Sequence, residues 1–407
     1  MRPLRYRFLL TLSVLLSSLA APNLGLSAEP EFKQADLFTA GVGGYKLYRI
    51  PGLVVTTRGT ILAYCEARKS DKGDWGTIDI QLRRSTDGGA TWSEPVTISD
   101  VQGPKTKNPV ALDKKLATTD EVTYNNPVLI VDRQTGAVHL LYCLEYMRCF
   151  YARSEDDGQT FSKPVEITAA FDAFRPEYDW KVLATGPSHA IQLKTGRLVV
   201  PVWLSLGTGG HAHRPSVTST IYSDDHGATW HRGEIAVPNT DKWVNPNETI
   251  IAELADGRVM LNTRSESKDH RRLVTTSPDG AKGWSEPKFH PELLEPVCMA
   301  SIVRLTGRDS DKTRLLFANP ATTDSRKKIT VRLSYDEGET WPLTRMVEEG
   351  YSGYSDLAVL PDGRILLIYE RGSVDNKSPY KTGSLTLAKF NLEWLTEGKD
   401  ALPAAAK

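Results

Sequence analysis

The chain has 407 residues, 25% of them charged and 40% hydrophobic, and its 50 Lys and Arg balance 50 Asp and Glu. This is an ordinary globular composition, long enough for a large core, and zero formal charge excludes bulk electrostatic attraction to nucleic acid or anionic membrane. Recognition of an anion must therefore be built locally.

The N-terminus, "MRPLRYRFLLTLSVLLSSLAAP", places Arg2, Arg5 and Arg7 before an apolar run from Phe8 to about Ala21, with small residues at Ser18 and Ala20. The pattern predicts a signal peptide over residues 1–28, cleaved between about 20 and 28, and hence an exported chain, periplasmic or secreted. The run is short of the ~20 apolar residues a membrane span needs. Residues 29–395 are expected to form one domain, followed by a tail over 396–407.

"KLYRIPGL" (Lys46–Leu53) is the first strand signal, and Arg49 stands inside it. A guanidinium there either snorkels to water or faces a pocket that needs a fixed positive charge. "CEARKSDKGDWGTIDIQLRRS" then gives a strand, a loop with Asp71 and Asp74, and a second strand holding Asp79.

That second strand runs into the first copy of a repeat. S-x-D-x-G-x-T-[WF] begins at Ser85, Ser154, Ser223 and Ser334, with a worn copy at Ser277. Each aspartate can accept hydrogen bonds from the turn it starts, each glycine supplies positive φ, and the aromatic residue tucks beneath the turn. Between the copies lie "PVLIVDRQTGAVHLLY", "HAIQLKTGRLVVPVW", "IIAELADGRVMLNTR" and "LAVLPDGRILLIYER", each two strands around a tight turn. A period of about 55–70 residues fits one four-stranded propeller blade. The fold class is therefore all-β, a six-bladed β-propeller over about 35–390. "LTLAKFNLEWLTEGKD" closes it with a strand and a short C-terminal helix.

Cys65, Cys143, Cys149 and Cys298 are too few for a disulfide scaffold and show no zinc-ligand spacing. Cys143 and Cys149 lie in "HLLYCLEYMRCFYAR", two strands joined around Tyr146, where a disulfide and a pair of packed thiols both fit. His211 and His213 in "HAHR" lack a completing ligand and are expected in a solvated loop. No phosphate loop or calcium-loop spacing occurs, so neither metal nor cofactor is expected.

With these motifs in this order, nearly the whole mature chain resembles the bacterial exo-α-sialidases, six-bladed Asp-box propellers with an R-I-P motif on the first blade. The resemblance implies hydrolysis of terminal α-linked sialic acid from glycans, glycoproteins or glycolipids. It assigns Arg49, Arg264 ("LNTRS") and Arg326 ("TTDSRKKITVRLS") to the substrate carboxylate, with Arg332 the rival third arginine, and Glu370 ("LIYERG") to holding Arg49. Guanidinium forks pair bidentately with a carboxylate, and a rigid clamp can favour the flattened transition state. Tyr354 ("GYSGYSDLAVL") matches the nucleophile, with Tyr351 its decoy, and Glu248 ("WVNPNETIIAEL") the base. A neutral phenol escapes repulsion by the substrate carboxylate but needs a base beside it. Asp74 matches the general acid, in competition with Asp71 and Asp79. Arg68 matches an arginine that contacts the acid or a substrate hydroxyl. Trp75, Trp203 and Met299 are candidates for the pocket wall or rim. Two rival readings share the fold: a non-catalytic propeller that binds glycan or protein, and an enzyme for another nonulosonic acid or for sialyl transfer.

Overall fold

The computed structural model describes residues 28–305 and 312–402, so all but the last residue of the predicted signal peptide lies outside them. Among the described residues the chain is nearly all strand, with three short helices at Pro109–Asp113, Ala169–Asp172 and Leu392–Thr396. No helix among them is long and apolar enough to cross a membrane.

Apart from the two-residue strand Ser188–His189, which pairs parallel with Tyr124–Val131, the named strands form antiparallel meanders, as the short turns between them require. The first runs Leu47–Val55, Ile61–Arg68, Ile78–Ser85 and Val96–Thr97. The last sheet has seven strands because one long strand, Leu343–Val359, serves two meanders. Its first half pairs with Lys327–Ser334 and its second with Ile365–Arg371. The strand Phe32–Thr39 pairs antiparallel with Ser384–Phe390, so the two ends of the domain are stitched together.

Innermost strands close into a ring. Leu47–Val55 lies beside Tyr124–Val131, and the circuit continues through Ile191–Gln192, Thr249–Glu253, Ser301–Arg304 and Leu343–Val359 back to Leu47–Val55. This is the β-propeller architecture, with its site-bearing residues at one mouth of the ring. Apolar clusters fill the spaces between neighbouring sheets.

The repeats fold as turn locks. At the first copy, Ser85 Oγ donates to Asp87 Oδ1 at 2.8 Å, and Thr91 donates its N–H at 2.9 Å and its hydroxyl at 2.6 Å to the same carboxylate. Asp156, Asp225 and Asp336 repeat the pattern with Thr160, Thr229 and Thr340. In the worn copy Asp279 accepts from Ser277 Oγ at 3.2 Å and from the backbone of Ala281 and Lys282, and the threonine donors are missing because no threonine follows. Gly158 shows why glycine is needed: its φ is +74°, and a Cβ there would lie 2.7 Å from Leu62. Trp92, Phe161, Trp230, Trp284 and Trp341 each join a different apolar cluster, which ties the outer turns to the core.

Asn391 caps the C-terminal helix by accepting from Trp394 N at 3.0 Å. Beyond it, buried Asp400 accepts from Arg314 at 2.7 and 2.8 Å, so residues after 396 still pack on the domain. Cys143 and Cys149 face each other directly across their hairpin as buried free thiols.

Candidate active site

The first site element is a bulge. Pairing between Leu47–Val55 and Ile61–Arg68 shifts between Arg49 and Gly52. Ile50 adopts φ +56°, which is strained for a β-branched residue, and Pro51 follows it. Gly52 permits the kink, because a Cβ there would collide with Tyr64 at 2.1 Å. The bulge turns Arg49 into the cleft at the mouth of the ring.

Glu370 holds it there. Arg49 donates through Nε and Nη2 to the two Glu370 oxygens at 2.9 and 3.2 Å, leaving Nη1 for the cleft. The same carboxylate accepts from Ile50 N and Tyr354 N, each at 3.2 Å. Gly353 is required beside it, since a Cβ would sit 2.2 Å from Glu370 Oε2. Glu370 is buried and does not line the cleft, so it acts there through the arginine it orients.

Glu248 and Arg264 stand opposite one another just beyond the paired strands Thr249–Glu253 and Val259–Thr263. Arg264 N donates to Glu248 O at 3.0 Å and Asn247 N to Arg264 O at 3.1 Å, continuing the ladder to the cleft. The Tyr354 hydroxyl donates to Glu248 Oε1 at 2.7 Å, and Arg264 Nη1 donates to the Tyr354 oxygen at 2.7 Å and to the Glu248 carboxylate. Burial pushes the Tyr354 phenol up, Arg264 pulls against it, and the net shift is well above its ordinary value. The phenol is therefore neutral, with an acceptor for its proton already in place.

Arg326 opens the strand Lys327–Ser334. Its guanidinium lies 5.0 Å from the Tyr354 ring centre and 4.5 Å from that of Tyr380, and Nη2 donates to Val297 O at 2.8 Å. Arg49 lies 5.2 Å from the same Tyr354 ring. Three guanidiniums thus surround one phenol. Arg332 instead donates to Asn319 inside the sheet and is not among the residues that line the cleft, whereas Arg326 is. Tyr351 is likewise remote; its hydroxyl approaches only Lys377 O.

Asp74 faces this group from the loop after Ile61–Arg68. Arg68 Nη1 is 2.9 Å from its carboxylate and Arg49 Nη1 is 3.9 Å away. Burial raises the Asp74 carboxyl, but Arg68, His213 and Arg49 together outweigh it and hold it below the usual carboxylate range. Asp74 is therefore a carboxylate in this arrangement. Arg68 is buried against Glu66 and Gly73 O and does not line the cleft, which it reaches only through its contact with Asp74. Asp71 is paired with Lys381 at the surface and Asp79 accepts from Tyr45 at 2.8 Å.

Trp203 lines the cleft as expected, but its neighbours on that wall were not foreseen. His213, expected in a solvated loop, lines the cleft with Tyr146 and Trp203, and its ring lies 5.0 Å from Tyr146 and 5.2 Å from Trp203. Burial pushes the His213 imidazole down to about 4 against the opposing pull of Asp74, so it is neutral at physiological pH. Trp75 stacks behind Tyr146 at 4.6 Å and lies outside the cleft lining. Met299 is fully buried in an apolar cluster, and Val297 takes the rim position instead. Asn126, Arg214 and Glu266 complete parts of the wall that no sequence motif marked. No cluster of three or more His, Cys, Asp or Glu suited to a metal occurs among the described residues.

The cleft offers a guanidinium clamp, a phenol with its base, and a carboxyl on the opposite side. A model of the BNR repeat-like domain matches residues 59–367, which contain all five turn motifs. A sialidase from Micromonospora viridifaciens is 32% identical over 394 residues, covering 90% of this chain and 55% of that protein. A sialidase from Bacteroides fragilis is 30% identical over 362 residues, covering 81% and 61%. The chain therefore spans less than two thirds of the length of either relative. Among solved structures, the Hadza microbial sialidase Hz136 matches with a TM-score of 0.71 at 28% identity, covering 89% of this chain and 69% of that one. With the repeats and the fold in agreement, the chain belongs to the BNR repeat-like family, and over most of its length it is similar to sialidases.

Proposed function

We propose that the protein is a retaining exo-α-sialidase that releases terminal α-linked sialic acid from glycoconjugates. One observation carries the reading: the Tyr354 hydroxyl sits between Glu248 and Arg264, with Arg49 and Arg326 beside the same ring. A carboxylate on the reacting carbon suits that surround of positive charge, and a neutral nucleophile suits that carboxylate.

In the first step Tyr354 Oη bonds to the anomeric carbon and passes its proton to Glu248, while the glycosidic bond breaks and its oxygen takes a proton from Asp74. In the second, Asp74 removes a proton from water, which attacks the same carbon as the tyrosyl oxygen leaves and regains its proton from Glu248. The cycle needs Asp74 protonated at the start. Two effects of bound substrate favour this: its carboxylate offsets the charge of Arg49, and its bulk excludes water from the carboxyl.

The test compares wild type with Tyr354→Phe and Asp74→Ala on a fluorogenic α-sialoside and on sialyl-lactose. Release of sugar by wild type, initially as the α-anomer in NMR spectra, is expected. Asp74→Ala should retain more activity on the activated aryl substrate than on sialyl-lactose, and Tyr354→Phe should lose both. Sugar transferred to an added hydroxyl acceptor in preference to water would convert the reading to a trans-sialidase. No release of sialic acid or a related nonulosonic acid would leave a binding propeller. Export through residues 1–28 belongs to the same proposal, and cell fractionation tests it.

A further inference from the structure

A general acid on a loop works only if the loop backbone is held. Lys69 N donates to Thr77 O at 3.0 Å and closes the base of the Asp74 loop. On the near side, Arg68 donates to Gly73 O at 3.1 Å. On the far side the supports come from distant sequence: Lys107 Nζ donates to Trp75 O at 3.0 Å, and Thr123 Oγ1 to Gly76 O at 2.7 Å.

Lys107 has only 3% of its surface exposed. Its ammonium also donates to Thr123 Oγ1 at 3.2 Å and lies 2.9 Å from the fully buried Glu145 carboxylate. Glu145 in turn accepts from Thr123 N at 2.6 Å. The next residue is Tyr146, which lines the cleft and packs on Trp75. Glu145 and Tyr146 form the hairpin tip, with φ of +59° and +49°, so this tip also needs holding. A buried ion pair is a poor source of net stability, because both ions give up hydration. Here, however, the pair spends one ammonium proton on the carbonyl next to the acid.

We propose that Lys107 is a positioning residue for the acid step: by bridging the Trp75 carbonyl and Glu145 it fixes the Asp74 loop against the hairpin tip that carries Tyr146. The proposal rests on the sialidase reading of the cleft. A displaced acid harms reactions in proportion to how much their leaving group needs a proton. A general loss of fold harms all substrates alike.

The experiment measures kcat/KM for sialyl-lactose and for an aryl sialoside with an acidic phenol leaving group. Wild type is compared with Lys107→Met and with the double variant Lys107→Met/Glu145→Gln. The double variant removes the unpaired buried carboxylate while Gln still accepts from Thr123, so it keeps the test open if the single variant folds poorly. Both variants are expected to lose about 100-fold on sialyl-lactose and less than about 5-fold on the aryl substrate. Equal losses on the two substrates, or no loss in the folded double variant, would overturn the positioning role and leave the sialidase reading intact. Wild-type inactivity on both substrates would instead sink that reading and the proposal with it.

Discussion

Replacing Arg49 by lysine keeps the charge and removes the fork. Arg49 uses Nε and Nη2 on Glu370 and keeps Nη1 for the cleft, which a planar guanidinium can do at once. An ammonium is a single point, and the buried Glu370 carboxylate is its nearest strong partner. The substrate carboxylate therefore loses one charge-assisted donor, worth about 1.5–3 kcal/mol. That converts to a fall of roughly 10- to 100-fold in kcat/KM. Glu370 keeps an ion-pair partner as well as the amides of Ile50 and Tyr354, so the unfolding midpoint should move by only a few degrees. The assay pairs steady-state kinetics on an α-sialoside with inhibition by free sialic acid and by its methyl ester. Wild type should favour the acid over the ester, and Arg49→Lys should narrow that preference. A kcat/KM within about threefold of wild type, with the preference intact, would refute the assignment of Arg49 to the carboxylate.

Arg326→Ala should lower kcat/KM by at least about 10-fold with a small change in thermal midpoint, whereas Arg332→Ala should do the reverse, because Arg332 bonds Asn319 within the sheet; kinetics and calorimetry on both separate the two. Stability should fall in acid through His139, which burial pushes down to about 4 against the pull of Asp132. The unfolded chain takes up that proton below about 6.5 and the folded chain does not, so this contribution is full above pH 6.5 and is lost as pH falls toward 4. Urea titrations at pH 7 and pH 5 should differ by about 2 kcal/mol from this residue, and His139→Gln should remove that part of the difference. Gly353→Ala should cut activity and destabilise together, since its Cβ would press on the carboxylate that holds Arg49; a variant that is inactive but as stable as wild type would contradict that account.

Turn chemistry is local, and so the fold was legible. Asp87, Asp156, Asp225 and Asp336 lock turns with donors no more than four residues away, and a spacing pattern records such contacts. The clamp and the Tyr354–Glu248 pair were legible for a different reason: the chemistry demands those residue types, and the resemblance supplied their positions. The His213 wall was not legible, because its surroundings, Tyr146, Trp203 and Trp75, come from three separate stretches. Met299 was misplaced for a backbone reason. Val297 adopts φ +56°, which breaks the strand-like alternation and leaves Met299 in the core two residues past the rim. Lys107 left no signal at all, since a lone lysine in a polar stretch reads as solvated.

The arginine holder has a counterpart on the adjacent sheet. "YRIP" at Tyr48–Pro51 and "YNNP" at Tyr124–Pro127 are the same bulge on adjacent inner strands, with Ile50 at φ +56° and Asn126 at φ +50°. In each case a buried glutamate on the second strand of the preceding sheet accepts from the bulged amide: Glu370 from Ile50 N at 3.2 Å, and Glu66 from Asn126 N at 2.9 Å. Each glutamate also binds an arginine of the site, Glu370 taking Arg49 and Glu66 taking Arg68. A bulge leaves an amide without its ladder partner, and a buried amide must be satisfied. The carboxylate that meets this backbone need has lone pairs to spare for a guanidinium. Glu66 gives Oε1 to the amide and Oε2 to Arg68, while Glu370 Oε1 takes both the amide and Arg49 Nε and Oε2 takes Arg49 Nη2. The contact that joins one sheet to the next is therefore the same contact that aims Arg49 and Arg68, so the geometry of the cleft is fixed by closure of the ring.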